Sequence, residues 1–494
     1  MPGEDRQRPR HTPRDVVVVM TDQHRADLCA REGFGVDTTP TLDRLARAGR
    51  WFDRAYTSSP LCVPARISML TGRFPSAHGV RTNRAYGNPS YGRDLVDVVA
   101  GAGFRTALVG KNHSHLVPNR LDHWVEYGHL GRLPRSAATG PDQEFDDWLH
   151  DHPGTTPTAT PFPPEVQIPA RLVDEAIRWL DTAAPTERSF LWLSIPEPHV
   201  PYQAPEPYFS AYAPTTVPPA ATTLEALDNR DLAWRYAGRL AELSGEAKPD
   251  VLARARANYV GMLRLVDDQI ARLVRHLENT GRLDDTLLVF VSDHGDFAGE
   301  YGLMRKGPGL PEVLARVPMF FHGPGVVGEP GPSPAHVSIV DILPTICEVL
   351  GQPVPEGVQG RSLVPMLSGD VAGDHDFLSA YAEQGFGGMP YEEADLGDAE
   401  PGVRRLDDGR VVVDAVNVVT HSGARRMVRR GRWKLVADVT GAVQLFDLAE
   451  DPFETRDLSA VPALAATKAD LLADLTAWML RATDAQLDRS GGSA

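Results

Sequence analysis

The side chains of this chain that could do chemistry gather in six short stretches: Asp22-Gln23, Cys62 with Arg66, Lys111 with His113, His199, Asp293-His294, and Lys306. Asp22, Gln23 and Asp293 supply two carboxylates and an amide oxygen, a hard oxygen set suited to calcium, magnesium or manganese, and His294 stands beside them. A zinc site would draw on more His or Cys. Either aspartate alone reads as a helix cap; the pair, each at the end of a buried apolar run, reads as a metal site. Lys111 and His113 are two apart and so share one side of an extended segment, and His115 repeats the alternation. His199 lies in "PEPHVPY", where prolines stiffen the loop and fix the ring. Arg66 follows Cys62 by one helical turn, close enough to hold an anion or orient residue 62, with the positive end of that helix assisting. A plain thiolate, with an unperturbed pKa of about 8.5, is a poor partner for hard oxygens, and an oxygen nucleophile would suit the setting better. A divalent metal, several cations and an unusual nucleophile together describe a site for a tetrahedral oxyanion ester.

Four of these clusters follow short β-branched runs: "DVVVVM" (15–20), "FRTALVG" (104–110), "RSFLWLSI" (188–195) and "TLLVFVS" (286–292). Helical patterns alternate with them: "TPTLDRLARAGR", with Thr39 as cap and Pro40 at the first helical position, "RLVDEAIRWLDTA", and "ANYVGMLRLVDDQIARLVRHLENTG". Alternating strands and helices predict an α/β fold with a large, mostly parallel sheet, whose site lies outside the carboxyl ends of the strands. Residues 131–169 and 201–235, rich in Pro, Thr and Gly, read as long surface excursions that wall the pocket. Past residue 380 an acidic Gly-rich stretch leads to "RRMVRRGRWKLVAD" and "GAVQLFDLAEDP", which read as antiparallel hairpin strands, and an amphipathic helix closes the chain. The expected organisation is a disordered tail over 1–14, a catalytic domain over 15–380 and an α+β subdomain over 381–494.

The chain has 494 residues, too many for one hydrophobic core. A formal net charge of −16 argues against a nucleic-acid or polyanion-binding surface. No apolar run reaches membrane-spanning length, and "MPGEDRQRPRHTPRD" carries no signal-like segment, so the expected compartment is the cytoplasm. Of the three cysteines, Cys29 and Cys347 read as small core residues, and no disulfide framework is possible.

"CVPAR" followed by "ISMLTGR" resembles the signature of the formylglycine-dependent sulfatases, Cys-x-Pro-x-Arg with a downstream Thr-Gly-Arg. The resemblance extends over "VVVVMTDQHRAD", "VGKNHSH", "PEPHVPY", "VFVSDHGDFAGEYGLMRKG" and "RRGRWKLV…QLFDLAEDPFETRDLS", in order. It implies the alkaline phosphatase-like α/β sandwich with a smaller C-terminal subdomain carrying a short antiparallel sheet. It also implies that Cys62 is oxidised by a formylglycine-generating enzyme, and that Asp22, Gln23, Asp293, His294 and the modified Cys62 ligate a metal, usually calcium. Arg66 and Lys111 would steady the aldehyde hydrate, whose one hydroxyl attacks sulfur. His113 would deprotonate the other, and His199 and Lys306 would bind sulfate and help protonate the leaving oxygen. The implied substrate is a small aryl, alkyl or sugar sulfate. The Asp-Gln and Asp-His pairs, where many sulfatases have Asp-Asp and Asp-Asn, are shared with the related phosphonate monoester hydrolases, which act on phosphodiesters; Asn83 would serve either enzyme. Lys111 and His113 match the sulfatase element and favour sulfate. A third reading, an inactive sulfate-ester-binding protein with unmodified Cys62, is disfavoured because every position of the inferred site holds a competent side chain.

Overall fold

The computed structural model describes residues 12–84, 88–329, 331–370, 377–397, 400–407, 411–414 and 416–484. Most of the tail expected over 1–14 lies outside these residues. The strand Asp15–Thr21, all seven residues buried, occupies the middle of an eight-stranded sheet. The sheet runs Arg50–Phe52, Met319–His322, Thr286–Ser292, Asp15–Thr21, Arg188–Ile195, Phe104–Gly110, His123–Gly128, Gly131–Leu133. The five strands from Thr286–Ser292 to His123–Gly128 are parallel, and antiparallel neighbours flank them on both sides.

Alternation along Asp15–Thr21 sends Val16, Val18 and Met20 to one face and Val17 and Val19 to the other. The first face packs on Ala65, Met69 and Leu70 of the helix Cys62–Thr71 and on Ile342 and Ile346. The second packs on Leu172 and Ala176 of the helix Ile168–Asp181 and on Val266, Ile270 and Leu273 of the helix Pro249–Asn279. This is the mostly parallel sheet between helical layers that the alternating pattern predicts.

A second, antiparallel sheet follows, in the order Ser379–Gln384, Arg425–Arg430, Trp433–Asp438, Val443–Asp447, with the helix Ala465–Thr483 packed on it through Leu471, Leu475 and Trp478. Its first strand straddles the boundary expected at 380.

Three local expectations need correction. The stretch 131–169 is not one surface excursion. It includes the strand Gly131–Leu133 and the helix Pro141–Asp151, whose Phe145 and Leu149 enter the second core. Its later part is tied to the next excursion: Thr156 N–H donates to Tyr202 O and Thr160 N–H to Ala204 O, both at 3.0 Å. Thr39 occupies the N-cap position of Pro40–Ala48, but its hydroxyl donates to Asp43. The cap comes from the distant Asp267, which accepts from the N–H groups of Thr41 (2.9 Å) and Leu42 (2.8 Å). Lys111 and His113 do not share a side through extended backbone, because His113 has φ 42° and the chain turns there.

Candidate active site

Three strand ends and one helix start meet at Cys62. Asp22 follows Asp15–Thr21, and Asp293-His294 follows Thr286–Ser292, the two strands in register from Asp15 against Thr286 to Thr21 against Ser292. Lys111 follows Phe104–Gly110, where Gly110 has φ 118° and an added Cβ would meet Ser194 O at 1.9 Å. That glycine lets Lys111 N–H reach Ser194 O at 2.8 Å and turns the side chain inward. Cys62 is the first residue of a helix whose ten residues are all buried. Asn83 accepts from Val63 N–H at 3.0 Å, satisfying one of the unpaired donors at that helix start.

Ligand atoms of Asp22, Cys62, Asp293 and His294 all lie within 4.8 Å of one another, fully buried. Cys62 Sγ is 3.7 Å from Asp22 Oδ1 and 3.3 Å from His294 Nε2. His294 Nδ1 faces Gly295 O at 2.8 Å, so Nδ1 carries the hydrogen and the Nε2 lone pair points into the group. Two carboxylates, an imidazole lone pair and residue 62 converging at this spacing suit a divalent cation. Gln23, at φ 64°, stands beside them. Its backbone N–H donates to Asp293 Oδ1 (3.1 Å), its Oε1 accepts from Lys306 (3.0 Å), and its Nε2 donates to Asp296 (2.5 Å).

Arg66 is fully buried and binds both carboxylates, Asp293 Oδ2 at 2.9 Å and Asp22 Oδ2 at 3.1 Å, while its third nitrogen donates to Lys111 O (2.9 Å) and Ser194 Oγ (2.6 Å). It therefore positions both aspartates and is itself anchored by Lys111 O and Ser194. Lys111 donates to Asp22 and, at 3.0 Å, to His129 Nε2. Lys306 donates to Gln23 and faces His199 Nε2 at 3.3 Å. His199 Nδ1 is 2.7 Å from Val200 O, which again leaves the lone pair on Nε2.

Burial alone would raise the Asp22 carboxyl, yet the Lys111 and Arg66 cations hold it well below the usual range. Burial and Asp22 push the Cys62 thiol up, but the Lys111 and Lys306 ammonium groups outweigh them and bring it to about 7. Burial, with neighbouring cations, drives His113, His129 and His199 down, so all three are neutral near pH 7. Burial would lower Lys306, but Cys62, Asp22 and Asp293 raise it and keep it an ammonium. The site thus offers cations, neutral imidazoles and a thiol poised near neutrality.

All ten residues expected from the sequence fall in or beside this cluster. His115 does not: it pairs with Asp94 at 2.8 Å, away from Cys62. Three participants are absent from the sequence reading. His129 lies at the turn between His123–Gly128 and Gly131–Leu133, stacked on His199 at 3.5 Å between centroids. Ser194 anchors Arg66, and Asp296 holds Gln23. Asp296 lies within "VFVSDHGDFAGEYGLMRKG", whereas His129 carries no motif of its own.

A sequence model of the sulfatase family matches residues 14–352. The chain is 29% identical to an arylsulfatase of Clostridium perfringens, over 76% of this chain and 82% of that protein. It is 29% identical to a choline-sulfatase of Rhizobium meliloti, over 96% of this chain and 89% of that protein. In fold it is similar to the crystal structure of a phosphonate monoester hydrolase of Agrobacterium radiobacter, with a TM-score of 0.76 and 24% identity over 95% of this chain and 96% of that one.

Proposed function

Because the chain belongs to the sulfatase family and is a sulfuric ester hydrolase, we propose that it cleaves small aryl, alkyl or sugar sulfate monoesters with residue 62 as nucleophile after oxidation of Cys62. The observation that carries this reading is the buried convergence of Cys62 on Asp22, Asp293 and His294, with Lys111 and Lys306 above it. Asp22, Asp293, His294 and residue 62, with Gln23 beside them, would hold a divalent cation, calcium by resemblance, which together with the oxidised residue 62 supplies charge stabilisation and a nucleophilic oxygen.

The chain's own residues have distinct tasks. Arg66 fixes Asp22 and Asp293 so that both carboxylates face residue 62. Lys111 has a donor left for a sulfate oxygen and Lys306 turns its third donor toward residue 62, where developing charge is neutralised in a water-poor setting. His113 is neutral and can take a proton from residue 62. His199 is neutral with its hydrogen held by Val200 O, so the proton for the leaving oxygen comes from Lys306, with His199 Nε2 orienting that ammonium. Because Cys62–Thr71 is wholly buried, an enzyme that oxidises Cys62 has to read the signature before this region folds.

The test is mass spectrometry of the Cys62 peptide from protein co-expressed with a formylglycine-generating enzyme, alongside turnover of 4-nitrophenyl sulfate and a phenyl phosphonate diester. An aldehyde at residue 62 and preference for the sulfate are expected. A persistent thiol in an active preparation would sink the mechanism, and a large preference for the diester would move the substrate to the phosphonate class.

A further inference from the structure

A cavity of about 690 Å³ is lined by none of the residues of the site above. It lies where the turn after the first strand and the edge strand Arg50–Phe52 face the second sheet and its 448–453 loop. Its size is within the range of about 300–1,000 Å³ usual for small-molecule sites. Four buried polar atoms without a hydrogen-bond partner among the described residues belong to its lining: Arg31 Nε, Trp51 Nε1, Arg429 Nε and Asp53 Oδ1. Folded proteins rarely leave such groups unsatisfied, and these four share one cavity. Three are donors and one is an acceptor.

Around the cavity one cation has no carboxylate in direct contact among the described residues. Asp27 is paired with Arg25 (2.6 Å), Glu32 with Arg316 (2.5 Å), and Glu312 with Lys434 (3.0 Å). Of the remaining arginines, Arg31 is held by Asp43 at 2.6 Å, Arg432 by Asp447, and Arg54 is 4.0 Å from Asp53. Arg429, 9% exposed, donates to Arg432 O at 3.2 Å and has no carboxylate within 4.0 Å among the described residues. Val313, Leu448 and Phe453 supply an apolar wall. A buried guanidinium without a direct ion pair, lining the same cavity as two further unpaired N–H donors, recognises oxygen acceptors that carry negative charge.

We propose that this crevice is a second binding site, separate from the catalytic group, for a small organic molecule bearing one oxyanion on an apolar body. The oxyanion sits on Arg429, Arg31 Nε and Trp51 Nε1, a hydroxyl or amine of the ligand meets Asp53, and the body lies on the Val313–Phe453 side. The idea goes beyond sulfate-ester cleavage and does not depend on it.

The test is calorimetric titration of the full-length protein with 2-naphthalenesulfonate, a probe that cannot be hydrolysed as an ester. A Lys111→Ala/Lys306→Ala double variant, which weakens oxyanion capture at the catalytic group, should bind as wild type does, within about threefold. Arg429→Met should weaken binding by about tenfold or more, and Trp51→Phe, which keeps the ring and removes the N–H, by about threefold to tenfold. Both should leave turnover of 4-nitrophenyl sulfate unchanged. Inorganic sulfate should bind this site about tenfold more weakly than the probe; equal affinity would overturn the apolar half of the proposal. Loss of binding in the double variant, or undiminished binding in both Arg429→Met and Trp51→Phe, would overturn the site itself.

Discussion

Two buried ion clusters in this protein use the same residue types to opposite ends. In one, Lys434 from the second sheet is fully buried and donates to Leu310 O (2.5 Å) and Glu312 Oε1 (3.0 Å), with Glu454 Oε1 at 2.9 Å. Its three hydrogens have three acceptors. The carboxylates are matched as well: Glu312 accepts from Tyr56 at 2.9 Å, and Glu454 accepts from Glu312 N–H at 2.7 Å. In the other, around Asp22, Lys111 meets two partners and keeps a donor uncommitted, and Lys306, bound to Gln23 and His199, turns toward a Cys62 thiol brought to about 7. A saturated cluster clamps the two sheets together, whereas an unsaturated one is prepared for a ligand.

The contrast can be broken most severely at Cys62. Cys62→Ala should lower turnover by at least about 10³-fold, because no nucleophile remains, with a thermal midpoint close to wild type. Residual turnover above about a tenth would remove residue 62 from the reaction. Lys111→Met should lower kcat by about 10²-fold, the usual scale for one lost donor to developing charge, and shift the thermal midpoint little, since Asp22 retains Arg66. A large fall in stability with kcat intact would make Lys111 a second clamp and erase the distinction.

Lys434→Met should do the reverse. It leaves Glu312 and Glu454 buried beside each other and should cost about 3–5 kcal/mol of stability, read by denaturant unfolding, with kcat of the folded fraction unchanged. The smallest expected effect is on acid stability. Burial would raise Glu312, but Lys434 and Arg429 lower it to about 2, below the unfolded carboxylate value of about 4.3. Its stabilising contribution is therefore present above about pH 4.3 and lost as pH falls through about 2. Glu312→Gln should flatten the thermal midpoint against pH in that window; an unchanged acid limb would show that the clamp is not maintained by this charge.

Much of the active site was legible because parallel α/β sheets bring the carboxyl ends of their strands to one edge. Once "DVVVVM", "FRTALVG", "RSFLWLSI" and "TLLVFVS" read as buried strands, Asp22, Lys111, His199 and Asp293 had to meet. The Cys62–Arg66 spacing gave one helical turn, and the structure extends that turn into a guanidinium that grips both aspartates. Local geometry was less legible. The turn at His113 and the cap on Pro40–Ala48 depend on partners that no short window contains.

Strand identity, sheet class, the cysteine with its helix, and the acid–base inventory were written in the sequence, since they follow from periodicity and residue type within short windows. Tertiary structure alone decided which donors would be consumed and which left over. His129 meets Lys111 across 18 residues, Asp296 meets Gln23 across 273, and Arg429 is left without a direct ion pair at the junction of the two sheets. Whether a buried charge is satisfied depends on every segment packed around it, and burial is what makes that remainder strong enough to matter.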